Sequence, residues 1–248
     1  MAHSQPNLIL SRLTQMDFRI IEADLVDVDL PVRKILERSH RRIDSVYFPD
    51  SGFASVVADG AGTRPIEVGI IGREGMTGLA VLLGSDLPKN ETYIQVAGKG
   101  RRLKASVLRK AIDQHASLHR SMLHSVHAFL DQAAMTALAN GRSSIEERLA
   151  RWLLLADDRI DEPEMPLTHE FLALMLGVRR PGVTVAAQSL ERDGLIARKR
   201  RSIVILNEKG WKSLRVPRTC RPFSTERHDR VVNESAPPLE PAYRKGLP

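Results

Sequence analysis

The spacing of apolar residues changes twice along the chain. Between about Pro6 and Leu25 they recur every three to four residues, which predicts one short amphipathic helix. From about Val26 to Ala105 the pattern changes to short runs rich in β-branched and aromatic residues, such as FASVV and YIQV, separated by Gly, Pro, Asp and Asn. Several short strands at regular spacing predict an antiparallel sandwich, jelly roll or barrel.

The segment 106–140 returns to helical spacing and has almost no Gly or Pro. A long helix between two domains is a candidate dimer interface. The apolar residues that we predict for this interface are Leu118, Met122, Val126, Phe129 and Ala133. The alternative is that the segment is a core helix of the first domain.

The rest of the chain divides into a second folded unit and a tail. Asn140-Gly141 predicts a helix break, after which Ser143 or Ser144 can cap a helix that ends near Ala156. Residues 157–166 are acidic, contain proline and predict a connecting loop. We therefore expect a sensor domain at 1–105, a dimerisation helix at 106–140, a DNA-binding domain at 141–213 and a disordered tail at 214–248.

Residues 167–206 combine two helices with a hairpin. Thr168 is a suitable N-cap for a helix that Gly177 ends, and Pro181 suits the first turn of a second helix that ends at Asp193-Gly194. The basic turn at 198–201 then separates two short apolar runs. This order predicts a helix-turn-helix followed by a β-hairpin, the wing.

The positive charge of the chain is concentrated in the same region. The net charge is +7, and residues 168–215 alone carry ten Lys and Arg against four Asp and Glu. A local basic surface indicates a polyanionic partner. No apolar run approaches a membrane span, no export signal is visible, and Cys220 is a single cysteine, so we expect a cytoplasmic protein without disulfides.

The second predicted helix divides into two faces. Val183, Ala187 and Leu190 should pack inward, and the opposite side would face a DNA major groove. The candidate base contacts are Arg179, Arg180, Pro181, Thr184, Val185 and Gln188. The candidate phosphate contacts are Thr168, His169, Arg192, Arg198, Lys199, Arg200 and Arg201. The alternative is that Arg179 and Arg180 are ordinary solvated charges.

No catalytic residue, metal site or cofactor is predicted. A metal-dependent β-barrel enzyme needs clustered histidines on its strands, and His40 is the single histidine between Pro6 and Ala111. His115, His119, His124 and His127 have spacings that could bring imidazoles together on a helix, although such positions are more often solvated. We find no phosphate loop or acid–base motif.

The chain resembles the Crp–Fnr superfamily (catabolite activator protein-like). The strongest match is the segment LTHEFLALMLGVRRPGVTVAAQSLERDGLI. Three further segments resemble a subgroup common in alpha-proteobacteria: VYFPDSG, IEVGIIGREGMTG and TALANGRSSIEERLARWLL. The resemblance implies an α+β protein with an N-terminal β-roll, a long dimerisation helix and a C-terminal winged helix-turn-helix. It further implies a homodimeric, sequence-specific regulator of transcription whose partners are double-stranded DNA and RNA polymerase, with no membrane partner.

The resemblance also locates the sites and the departures. Arg180 matches the family's base-contacting arginine, whereas the frequent glutamate and second arginine fall at Pro181 and Val185, which implies a different target sequence. The effector pocket would include Glu67, Gly75, Met76, Thr77, Gly78 and Thr92.

Cyclic-nucleotide-binding members have a glutamate where Thr77 or Gly78 stands, and Arg-Ser near Glu91-Thr92. A carboxylate in place of that arginine would repel a cyclic phosphate. We therefore expect either an unidentified small-molecule effector other than cyclic AMP or a protein that is permanently competent to bind DNA. The alternative function is a ligand-sensing or protein-interaction module with a vestigial DNA-binding domain.

Overall fold

The computed structural model describes residues 7–58, 65–160, 162, 164–199 and 202–206. Arg200 and Arg201 lie outside the described residues, and so does the tail predicted at 214–248 with Cys220. Within the described part, the chain forms an N-terminal β-roll, two consecutive helices and a C-terminal unit of helices with a small sheet. This architecture confirms the predicted α+β fold.

The β-roll consists of two antiparallel sheets. One has the order β1-β7-β3 and the other β2-β6-β4-β5. Alternate residues of β6 are buried, as the period of a strand with one buried face requires. Side chains such as Leu30, Ala54 and Ile94 pack between the sheets. The strands are β1 (Val26–Leu30), β2 (Ile35–Glu37), β3 (Ser45–Pro49), β4 (Phe53–Ala58), β5 (Ile66–Ile71), β6 (Glu91–Val96) and β7 (Gly98–Lys104).

The N-terminal segment contains two helices, so the prediction of one helix is wrong. Helix α1 (Leu8–Arg12) ends at Leu13, and α2 (Gln15–Glu22) begins after Thr14. Leu13 and Thr14 have ψ angles of 145° and 153°, and the Thr14 hydroxyl accepts a hydrogen bond from the backbone N–H of Asp17. The extended backbone at these two residues ends α1, and the Thr14 cap starts α2, although the apolar spacing continues across both helices.

The helix predicted at 106–140 is also divided. After the short helix α3 (Leu79–Leu82) of the β-roll, this segment forms two helices, α4 (Ala105–Gln114) and α5 (Ala116–Arg142). His115, with φ −129° and ψ 91°, separates α4 from α5. The predicted break at Asn140-Gly141 is wrong, because α5 continues through both residues. Residues of α4 and of the first half of α5 pack in the same hydrophobic core as the β-roll.

The C-terminal unit begins with a well-capped helix. Helix α6 (Ile145–Asp157) starts at Ser144, whose hydroxyl accepts from the backbone N–H of Glu147 while the Glu147 carboxylate accepts from that of Ser144. The other elements are β8 (Glu164–Met165), α7 (His169–Met175), α8 (Arg180–Arg192), β9 (Ile196–Arg198) and β10 (Ile203–Ile205). Strand β8 lies within the predicted loop and joins the wing, in the order β8-β10-β9.

The two units share one hydrophobic cluster. Phe53 and Ile70 of the β-roll pack in the same cluster as Trp152 and Leu153 of α6. The ring of Trp152 lies edge-on between Phe53, at 6.1 Å, and Phe171 of α7, at 5.5 Å between centroids. The helix-turn-helix is therefore packed directly against the β-roll.

Candidate nucleic-acid interface

Helices α7 and α8 form the predicted helix-turn-helix. The Thr168 hydroxyl caps α7 by accepting from the backbone N–H of Phe171 at 3.2 Å. Gly177 follows the helix with φ +61°, a conformation that favours glycine, and Pro181 lies in the first turn of α8. Val183, Ala187 and Leu190 are buried, so α8 has its apolar side against the domain, as predicted.

The opposite side of α8 is open to solvent and collects the candidate base contacts. Val185 is 66% exposed although it is apolar. Arg179, Arg180, Pro181 and Gln188 are also exposed. Thr184 is half-buried, and its hydroxyl donates to the carbonyl oxygen of Arg180 at 3.2 Å. The structure thus brings all six predicted residues to one surface.

Arg180 forms an ion pair within this surface. Its guanidinium lies 2.8 Å from the carboxylate of Glu170 on α7, and both side chains are mostly exposed. Exposed ion pairs of this kind contribute little to stability. Arg180 can therefore exchange Glu170 for another acceptor at small cost.

The candidate phosphate contacts differ in solvent exposure and in whether another side chain of the domain already pairs with them. Thr168 and Arg192 are exposed, and Arg192 bonds to the Ser189 hydroxyl at 2.9 Å. His169 Nδ1 lies 3.1 Å from the Thr184 hydroxyl, and partial burial, with the charges of Arg198 and Arg180, lowers the His169 pKa.

Arg198 and Lys199 are instead paired within the domain. Arg198 bonds to the carboxylate of Glu191 on α8, and Lys199 bonds to the carboxylate of Glu164 on β8. Sequence reasoning missed both carboxylates. Glu191 lies just before the predicted end of the second helix and Glu164 lies in the predicted loop, and neither position carries a signal for an ion pair.

Glu67, predicted for the effector pocket, lies at the junction between the two units. Its buried carboxylate accepts hydrogen bonds from the Ser55 hydroxyl at 2.6 Å and from the indole N–H of Trp152 at 2.5 Å. Burial raises the pKa of Glu67 to about 7, although the bonds from Ser55 and Trp152 oppose the shift. Glu67 thus joins β5 to α6, the first helix of the C-terminal unit.

A second polar contact connects the same units. Arg159, which follows α6, has a side chain only 1% exposed, and its Nε and Nη2 atoms lie 2.9 and 2.7 Å from Oε1 of Glu74. Its Nη1 also donates to the carbonyl oxygen of Leu155 at 2.5 Å. Buried guanidinium groups need such partners, because desolvation of an unpaired charge is costly.

Two of the other predicted pocket residues, Gly78 and Thr92, contact a carboxylate that belongs to the chain itself. Met76, Thr77 and Thr92 are fully buried. The backbone N–H of Gly78 and the hydroxyl of Thr92 both donate to the carboxylate of Glu37, the latter at 2.8 Å. Burial raises the Glu37 pKa, and both hydrogen bonds oppose the shift. The carbonyl of neighbouring Gly75 accepts from the Asn7 amide at 2.9 Å.

The residues predicted for the dimer interface lie on the inner side of α5. Leu118 and Met122 are fully buried and Val126 is 7% exposed, all in the core of their own β-roll. Phe129 and Ala133 are half-buried. The first half of α5 is therefore a core helix, which was the alternative interpretation of the sequence. The exposed large apolar residues of α5 are Leu130 and Leu138, at 61% and 51%.

The helical histidines are not gathered into a metal site. His127 Nδ1 lies 3.4 Å from the Asp131 carboxylate, and His119 Nε2 lies 2.8 Å from the carbonyl oxygen of Leu82. In the described part of the chain, no three His, Cys, Asp or Glu side chains are close enough together to hold a metal ion.

Comparisons with known proteins agree with this geometry. Residues 147–213 match the family model of the Crp-like helix-turn-helix domain. No curated protein matches the chain. The fold is similar to FixK2 from Bradyrhizobium japonicum, with a TM-score of 0.66 and 20% identity over 77% of this chain and 96% of FixK2.

Two further structures show the same likeness. A putative Crp/Fnr-family regulator from Eubacterium rectale has a TM-score of 0.66 and 17% identity, covering 84% of this chain and 97% of that one. The c-di-GMP-responsive regulator CLP of Xanthomonas campestris has a TM-score of 0.62 and 16% identity, covering 78% and 100%. At these identities the structures establish the fold, and the match at 147–213 establishes the type of DNA-binding domain. Residues 147–213 therefore form a Crp-like helix-turn-helix domain, and the chain has the fold of the similar Crp/Fnr-family structures.

Proposed function

We propose that the protein is a transcriptional regulator of the Crp–Fnr type, a homodimer that binds two-fold symmetric DNA sites by placing one α8 in each of two major-groove half-sites. The observation that carries this proposal is the exposed side of α8, where Arg180, Val185 and Gln188 project away from a fully packed domain. An exposed apolar residue among polar ones suits a surface that contacts base edges, because valine can pack on a thymine methyl.

The exposed residues divide into two roles. Arg179 and Arg180 stand at the N-terminal end of α8, where a guanidinium can bind guanine O6 and N7 through two hydrogen bonds. Gln188 suits adenine. Thr168, His169 and Arg192 suit phosphates, which supply affinity and salt dependence rather than sequence preference.

The dimer contact lies on the outer side of the second half of α5. Leu130, Ala134, Ala137 and Leu138 are exposed there at helical spacing. Small residues beside two leucines allow two helices to approach closely. This face replaces the predicted seam at Leu118 and Met122, whose side chains are covered by their own β-roll.

The regulator does not depend on a cyclic nucleotide. Glu37 already accepts the hydrogen bonds of Gly78 and Thr92, so a second anion would meet a carboxylate at that position. An effector of other chemistry would act by its different affinity for the two arrangements of the DNA-binding domains. RNA polymerase is a further partner, and the protein works in the cytoplasm.

No helix in the described ranges is long and apolar enough to cross a bilayer.

A salt titration tests whether the interface binds DNA. Fluorescence anisotropy of a labelled mixed-sequence duplex is measured at several KCl concentrations between roughly 50 and 200 mM. We expect log K to fall linearly with log salt, by about 0.9 per phosphate contact, and Arg192→Ala to reduce the slope. Lys110→Ala, at an exposed position of α4, is the matched control and leaves the slope unchanged.

Weak binding without salt dependence contradicts the proposal. It would favour the alternative, in which the chain senses a ligand or a protein and its helix-turn-helix is vestigial.

A further inference from the structure

We infer that Glu191 and Glu164 are positioning residues that hold the wing in place for DNA, and that Arg198 acts in this support instead of contacting a phosphate. The inference rests on the proposed function, because it concerns how the same domain binds DNA. It assigns a favourable role to two negative charges in a domain whose partner is a polyanion.

Glu191 binds both the backbone and the side chain of Arg198. Its Oε1 accepts from the backbone N–H of Arg198 at 3.0 Å, and its Oε2 accepts from Nε at 2.7 Å and from Nη2 at 2.5 Å. Glu191 lies in the last turn of α8 and Arg198 is the last residue of β9. One carboxylate therefore ties the end of the recognition helix to the point where the chain enters the wing tip.

The Arg198 side chain is committed to this contact. It is 25% exposed, in contrast to Arg192, which is 76% exposed near the same end of α8. The hydrogen bonds from Arg198 also hold the pKa of Glu191 below its usual value, so the carboxylate stays ionised. A phosphate could reach this guanidinium only in competition with an ionised carboxylate that already has two of its N–H groups.

Glu164 supports the other side of the wing. Strand β8 pairs with β10, with Val204 opposite Glu164. The Glu164 carboxylate accepts from the ammonium group of Lys199 and from the hydroxyl of Ser202, the latter at 3.1 Å. Lys199 and Ser202 are themselves joined by a backbone hydrogen bond of 2.8 Å. Glu164 thus contacts the chain on both sides of positions 200–201.

The two possible roles of these carboxylates, a local negative charge or a support for the wing, predict opposite changes in DNA affinity when a carboxylate is removed. Since DNA is a polyanion, loss of a carboxylate near the interface should strengthen binding if only the local charge matters. If the carboxylate holds the wing, its loss should weaken binding. Asp193 provides the matched control, because it also stands at the end of α8 and its carboxylate lies 3.9 Å from Nε of Arg192, at the limit of an ion pair.

The experiment measures Kd on a duplex that the wild-type protein selects, with full-length variants whose unfolding midpoints are compared first. Glu191→Ala should weaken binding about tenfold, equivalent to ~1.4 kcal/mol, whereas Asp193→Ala should leave Kd unchanged or lower it. Arg198→Ala and the double variant Glu191→Ala/Arg198→Ala should match Glu191→Ala, since each removes the same contact.

A charge-swapped variant separates support from phosphate binding. Glu191→Arg combined with Arg198→Glu keeps an ion pair between α8 and β9, so it should recover part of the lost affinity relative to Arg198→Glu alone. If Arg198 contacts a phosphate, Arg198→Ala should lower the salt slope by about 0.9 and the swapped variant should show no recovery.

Tighter binding by Glu191→Ala, or an effect equal to that of Asp193→Ala, overturns the inference. Failure of the wild-type protein to bind any duplex in a salt-dependent manner overturns the proposed function instead, so the two failures are distinguishable.

Discussion

The indole N–H of Trp152 donates a hydrogen bond to the carboxylate of Glu67 across the junction between the DNA-binding domain and the β-roll, at 2.5 Å. The two residues are 85 positions apart in the chain and both are buried. A buried polar contact needs defined geometry, because an unmade bond leaves a polar atom without water. This pair, together with Arg159 and Glu74, therefore adds defined polar contacts to the hydrophobic packing of α6 against the β-roll.

Trp152→Phe removes the donor and keeps an aromatic ring. We expect a loss of about 1–3 kcal/mol in the free energy of unfolding, because one oxygen of Glu67 then stays buried without its partner. Urea denaturation measures this change. Tyr93→Phe, in the same cluster, removes only a half-buried hydroxyl and should cost less than about 0.5 kcal/mol. Equal losses of unfolding free energy in the two variants would show that the hydrogen bond from Trp152 to Glu67 does not stabilise the fold.

Glu67 should make stability depend on pH. Burial raises its pKa to about 7 in the folded protein, above the ordinary glutamate value of 4.5, so the folded state binds the proton more tightly. The stability contributed by the neutral carboxyl is complete below about pH 4.5 and is lost as the pH rises through about 7. The decrease is on the order of 3 kcal/mol.

Glu67→Gln imitates the protonated carboxyl, because its amide oxygen can accept from Trp152 and its NH₂ group can donate to Ser55. The difference in unfolding free energy between the variant and the wild type should therefore grow from acid to neutral pH, in favour of the variant. A difference that is constant over this range would mean that the pKa of Glu67 is the same in the folded and unfolded states.

Glu74→Ala should be more damaging than the loss of an exposed ion pair. It leaves the Arg159 guanidinium, with a side chain 1% exposed, without its carboxylate, which costs about 3–5 kcal/mol when a buried partner is removed. Arg42→Ala breaks an ion pair with Asp86 whose arginine is 67% exposed, and should cost less than about 1 kcal/mol. Similar unfolding midpoints for the two variants would contradict a buried link at Glu74.

The helix-turn-helix could be predicted from sequence because its signals are local. Thr168, Gly177 and Pro181 each act on the backbone within a turn of their own position, and the structure has a cap, a positive φ and a helix start there. The division of the long helix at His115 has no comparable signal, since neither Gly nor Pro is present. It depends on how both halves pack on the β-roll.

The junction and the wing supports could not be predicted because they are tertiary. An amphipathic stripe such as Leu118 and Met122 has the same pattern whether it faces a partner or its own sheet. No sequence signal marks Glu37 or Glu191, and Glu67 was predicted for an effector pocket instead of the junction. Each of the three gains its role from a donor that is distant in the chain or across a turn.

The central claim is that α8 recognises sequence, and selection of binding sites from a random duplex pool tests it most directly. Wild-type protein and Arg180→Ala are compared without added ligand. We predict that the wild type enriches a two-fold symmetric site with half-sites about one helical turn apart, and that Arg180→Ala keeps the spacing but loses the preference at one base pair of each half-site. Enrichment of no sequence by the wild type, or of identical sequences by both proteins, would contradict it.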